Sequence, residues 1–103
     1  MNDVHIFFIY ADNCEHCQAA LTNIESAILK CEDTSCILHK FMYDSKEAIT
    51  LAINRGIDDL PGVVIGKKVF VKECSEQKII HAIKKVKSEL DVIDIVRKSD
   101  NET

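Results

Sequence analysis

Cys14 and Cys17 frame the stretch Asp12-Asn13-Cys14-Glu15-His16-Cys17. The pair follows a hydrophobic run, Val4 to Tyr10, and opens an amphipathic run that continues to Cys31. In an intracellular α/β chain, a Cys-X-X-Cys at a strand-to-helix junction reads as a redox dithiol rather than a structural disulfide. The helix start supplies the chemistry. It carries unpaired N–H groups and the positive end of the dipole, and both stabilise a thiolate. Free cysteine titrates near about 8.5, and such sites bring it down to roughly 3.5–7.5. Cys14 is then the exposed, attacking thiolate. Cys17 lies one turn in and resolves the mixed disulfide that Cys14 forms. Glu15 and His16 tune the pair in opposite senses. A protonated His16 favours the thiolate and Glu15 disfavours it; about 30 mV of potential corresponds to roughly 1.4 kcal/mol.

The elements around the pair follow from hydrophobic spacing. Val4-His5-Ile6-Phe7-Phe8-Ile9-Tyr10 is apolar except for His5 and suits a central strand buried on both faces. Cys17, Leu21, Ile24, Ile28 and Cys31 recur at helical spacing and define the inward stripe of a first helix. Cys36 to Tyr43 forms a second strand, and Lys40 within it marks a sheet edge. Asp44-Ser45 caps a helix through Ala48, Ile49, Leu51, Ala52 and Ile53, which Gly56 ends. Two short strands follow, Val63-Val64-Ile65 and Val69-Phe70-Val71, joined through Gly66-Lys67-Lys68. Ser75 caps a last helix with Ile79, Ile83, Val86 and Leu90 inward, and the segment from Asp91 to Arg97 extends it or forms a short helix of its own. The order βαβαββα implies a parallel first pair of strands and an antiparallel hairpin.

A chain of 103 residues makes one compact domain, expected over residues 1–98, with 99–103 as a disordered polar tail. Hydrophobic content of 47% against 29% charged excludes a disordered chain. The net charge of −4, without a Lys/Arg cluster, argues against a nucleic-acid binder. No basic segment precedes an apolar stretch near Met1, and no apolar span reaches about 20 residues. A cytoplasmic monomer is expected, without membrane contact. Five cysteines is an odd count, so Cys31, Cys36 and Cys74 are expected as thiols, although Cys31 and Cys36 bracket a loop that a regulatory disulfide could close.

The element order, the Cys pair and Leu60-Pro61-Gly62-Val63-Val64-Ile65-Gly66 together resemble the thioredoxin fold in its minimal, glutaredoxin-like form. The resemblance covers roughly residues 4 to 90 and implies a four-stranded mixed sheet with three helices. It implies that the Leu60–Pro61 bond is cis and that its loop faces the dithiol. There the backbone N–H and C=O of Leu60 would pair with an extended substrate strand and set its disulfide over Cys14. It further implies thiol–disulfide oxidoreductase activity on protein disulfides, with ribonucleotide reductase a common client in the family. The cofactor is the Cys14–Cys17 disulfide itself, and electrons come from glutathione, a co-substrate, or from a flavoprotein of the thioredoxin-reductase type. Thioredoxins carry a tryptophan before the first cysteine and a buried acid behind the second; this chain has no Trp, and Phe8 stands at the acid's strand position. Glutaredoxins carry Cys-Pro-Tyr-Cys and a Gly-Gly pair that holds glutathione. Here Val71-Lys72-Glu73-Cys74-Ser75-Glu76 replaces the glycine pair, leaving Ser75 at a helix start to hold a carboxylate.

Two other readings compete. The cysteines could ligate zinc, but the second pair is Cys-X4-Cys, and Cys31 lies at the far end of a helix from Cys17, about 21 Å along its axis. A thioredoxin-like interaction module without turnover is the other, since a fold does not fix a function. Asp12, Asp58 and Asp59 read as cap and loop residues, and His39 and His81 as surface or strand residues.

Overall fold

The strand β1, Val4–Tyr10, lies inside a four-stranded sheet of order β2-β1-β3-β4. The computed structural model describes the backbone of residues 3–101 and the side chains of residues 3–92. After β1 come α1 (Glu15–Lys30), β2 (Cys36–Met42), α2 (Lys46–Arg55), β3 (Gly62–Ile65), β4 (Lys68–Val71) and α3 (Glu76–Asn101). β2 runs parallel to β1, whereas β3 is antiparallel to β1 and β4 to β3. β2 is an edge strand, as Lys40 indicates.

Alternation along the strands divides the sheet into two faces. Val4, Ile6 and Phe8 of β1 and Val63 and Ile65 of β3 join one core with Ile24 of α1 and Ile79 and Ile83 of α3. α1 and α3 therefore pack side by side on that face. Asn23 Nδ2 donates to the Cys74 carbonyl at 2.9 Å and Ser26 Oγ to Glu76 Oε1 at 2.9 Å, tying α1 to the start of α3. α2 lies by the other face, near Phe7 and Phe41.

The inner stripe of α1 differs from the expected one. Cys17, Ala20, Ile24 and Ala27 are buried, while Leu21 and Ile28 flank them half-buried. Small alanines occupy the line of closest approach, and the longer side chains fill the edges. α2 begins and ends as its sequence indicates: Ser45 Oγ accepts the Ala48 N–H at 3.2 Å, and Gly56 closes it in the left-handed conformation, φ 68°. Only Ala48 is buried in it, however, and Ile49 and Ile53 face outward at 48% and 76% exposure.

The hairpin is tighter than expected. Ile65 pairs with Lys68, so the turn is Gly66-Lys67 and Lys68 belongs to β4. Gly66 has φ 59°, and a Cβ there would meet Val86 Cγ2 at 2.5 Å, so glycine fits for both reasons. The 91–97 segment continues α3, which runs unbroken to Asn101. The first three residues of the expected tail, Ser99 to Asn101, are thus helical, because no Gly or Pro after Gly66 stops the helix. Residues 102–103 lie outside the described residues. Cys31, Cys36 and Cys74 are free thiols, so the possible Cys31–Cys36 bridge is not formed.

Candidate redox site

Asp12 and Asn13 turn the chain out of β1. Asn13 takes the left-handed conformation, φ 57°, which asparagine tolerates better than most residues. The turn leaves Cys14 at the N-cap of α1 with extended backbone. Its sulfur accepts the Cys17 N–H at 3.2 Å, the position a capping Ser or Asp oxygen usually fills. Negative charge on this sulfur would meet a helix donor and the positive end of the dipole. Cys17 is only 3% exposed and belongs to the core, whereas Cys14 is half-buried at its rim. The two sulfurs are within disulfide-bonding distance, with Cα atoms 5.2 Å apart. One thiol can be reached; its mate is shielded behind it.

Glu15 and His16 are exposed on the first turn of α1. β1 and β3 bring a second segment to the same end of the sheet, since Ile9 pairs with Gly62. Pro61, just before Gly62, is buried, and the Leu60–Pro61 bond is cis. Leu60 and His16 line one open hollow of about 470 Å³ together with Asp59, Val71, Lys72 and Glu73.

The Leu60 N–H is not free, contrary to the expectation for a docking edge. It donates to Asp59 Oδ1 at 2.7 Å, while Asp59 Oδ2 pairs with Lys72 Nζ at 3.0 Å. The Leu60 N–H, then Lys72, hold the Asp59 carboxyl below its ordinary value, and the charge of His16 acts in the same direction. Lys72, at φ 69°, also donates its backbone N–H to the Pro61 carbonyl at 2.9 Å. From the sequence, Asp59 reads as an ordinary loop residue. Its partner stands thirteen positions away on β4's far side, so only the Asp-before-Leu-Pro order could have drawn attention to it.

Ser75 is not among the residues that line this hollow. Its hydroxyl accepts the Lys78 N–H at 3.3 Å and caps α3. Cys14, Cys17, His16, Leu60 and Pro61 gather at one end of the sheet, and Ser75 caps α3. The cysteines considered for zinc do not converge, because Cys14 caps one end of α1 and Cys31 the other.

Comparison with known proteins places this architecture. An uncharacterised thioredoxin-like protein from Clostridium perfringens superposes with a TM-score of 0.66 at 17% identity, over 82% of this chain and 71% of that one. Thioredoxin 1 from Thermosipho africanus gives 0.58 at 20% identity, over 87% and 98%. A thioredoxin f2, solved in complex with ferredoxin:thioredoxin reductase, gives 0.54 at 18% identity, over 82% and 78%. No family model matches the sequence. No curated protein matches it either. The chain has the thioredoxin fold, and it carries a cysteine pair at disulfide distance where its first helix begins.

Proposed function

We propose that the protein is a dithiol oxidoreductase that reduces protein disulfides through Cys14 and Cys17. One observation carries the reading: the Cys14 sulfur caps α1 by accepting the Cys17 N–H, with Cys17 shielded behind it. The Cys14 thiolate attacks one sulfur of the client disulfide, and the other client sulfur leaves as a thiolate and takes a proton from water. Cys17 then loses its proton and attacks the Cys14 sulfur. The second client thiol is released, and two electrons have passed from the dithiol to the client. Glu15 and His16 set the potential of the pair, and Leu60-Pro61 aligns the client strand.

The pair is its own redox cofactor and is recharged by a thiol donor. A flavoprotein or other reductase is one source, supported by the thioredoxin f2 neighbour solved with such a partner. Glutathione is the other; the Ser75 region would then meet its carboxylate through a helix N-terminus. The odd number of cysteines supports a reducing, cytoplasmic setting.

Reduction of insulin disulfides with dithiothreitol as donor tests the reading. Wild type should accelerate it and Cys14→Ser should not; equal rates would leave the fold as an interaction module without turnover. Cys17→Ser should accumulate client mixed disulfides on Cys14, detectable as mass adducts that dithiothreitol removes.

A further inference from the structure

Asp59 has no part in the chemistry just described, yet both of its oxygens are engaged. Oδ1 accepts the Leu60 N–H and Oδ2 accepts Lys72 Nζ. Lys72 is anchored in turn, through its N–H on the Pro61 carbonyl. A single carboxylate thus ties the proline loop to the end of β4 and covers a main-chain donor beside the hollow that His16 borders.

We propose that Asp59 gates the docking edge: its carboxylate occupies the Leu60 N–H, and an extended peptide must displace it before pairing there. The inference rests on the oxidoreductase reading. A backbone amide offers one hydrogen, so the carboxylate and a client carbonyl compete for it. The carboxylate is the stronger acceptor, because charge-assisted hydrogen bonds exceed neutral ones. Protein clients that make further contacts in the hollow can open the gate, and peptides that offer only a backbone cannot do so readily. A small disulfide without peptide groups does not need the Leu60 N–H and passes the gate untouched. Asp59 is ionised, and the gate closed, at neutral pH, and its lowered pKa carries that state below the ordinary carboxylate range. Asp59 acts through Leu60 and is a positioning residue, not a catalytic one.

Two disulfides separate this role from a general electrostatic one. The first is the cystine-linked dimer of acetyl-Ala-Ala-Cys-Ala-Ala-amide, and the second is 2-hydroxyethyl disulfide. Asp59→Ala should raise the ratio of kcat/KM, peptide over small disulfide, by about threefold to tenfold through KM, the size expected when a charge-assisted competitor is removed. Asp59→Asn keeps an acceptor oxygen without the charge and should fall between. In ¹H–¹⁵N spectra the Leu60 amide should move upfield in Asp59→Ala and, in wild type, should titrate with Asp59 below the ordinary carboxylate range. An unchanged or lower ratio in both variants, or an unmoved Leu60 amide, overturns the gate while wild-type turnover preserves the oxidoreductase reading. Wild-type failure on both disulfides removes that reading and the gate with it.

Discussion

Five cysteines share this small chain, and their surroundings assign them opposite chemistry. Cys14 stands at a helix start with a donor on its sulfur. Cys74 is 7% exposed in the core, and burial pushes its thiol up to about 12. Burial also raises Cys31 at the C-cap of α1 and Cys36 at the head of β2. The thiolate is the reactive form, so reactivity follows these shifts. In the reduced, native protein at pH 8, iodoacetamide should label Cys14 first and Cys74 last. Relative to a thiol at the ordinary 9.0, Cys74 should hold about a thousandth of the thiolate. Peptide mapping of a labelling time course checks the order; Cys74 reacting as fast as Cys14 would contradict it. Burial raises all three thiols outside the motif, which distinguishes them from the pair more firmly than sequence spacing does.

At the scale of elements, burial decides which apolar residues hold the site in place. Ile24 is fully buried at the centre of α1, the helix whose first turn carries the pair. Ile24→Ala should cost about 2–5 kcal/mol by opening a cavity between α1, α3 and the sheet. Ile53→Ala, at a position 76% exposed, should stay within about 0.5 kcal/mol. Urea unfolding of the two variants checks the contrast, and equal losses would refute the packing described. Much of this frame was legible in the chain. β1 spans the same seven residues that its apolar run marks, and Ser45, Gly56 and Ser75 cap the helices that their types announce. Periodicity did not separate Ala20 and Ala27, at the contact line, from Leu21 and Ile28 beside it, because close approach depends on where α3 lies. It also did not show that α2 buries only Ala48, since that depends on the sheet area left to cover. Cys14 and Cys17 were readable as a local motif. The contact of Asp59 with Lys72 was not, because chain folding alone brings a loop before β3 beside the residue after β4.

For the whole molecule, the same groups shape the dependence of stability on pH. Three carboxylates join separate segments: Glu76 of α3 meets Lys30 and Ser26 of α1, Asp33 meets Lys87 of α3, and Asp59 meets Leu60 and Lys72. Each is held below its ordinary value: Glu76 chiefly by Lys30, Asp33 by Lys87, and Asp59 by the Leu60 N–H. A depressed folded-state pKa means that the folded protein binds fewer protons than the unfolded chain. Its contribution is complete above the ordinary values of 3.8 and 4.5 and is lost as pH falls through the depressed ones. Cys74 gives the opposite limb. Its contribution is complete below 9.0 and fades as pH climbs toward about 12, because the unfolded thiol loses its proton first. Lys72 and Lys87 are raised above 10.5, so the window from about 9 to 10.5 belongs to the buried thiols. Salt tells the two limbs apart. At 1 M the screening length is about 3 Å, which weakens exposed ion pairs but leaves a desolvation effect in place. Urea midpoints measured from pH 3 to 10.5, with the Cys14–Cys17 disulfide closed, should therefore fall at both ends. High salt should flatten the acid limb alone, and Cys74→Ala should flatten the alkaline limb alone. An acid limb indifferent to salt would show that these pairs do not couple the helices. An alkaline limb of full size in Cys74→Ala would place its origin in another group.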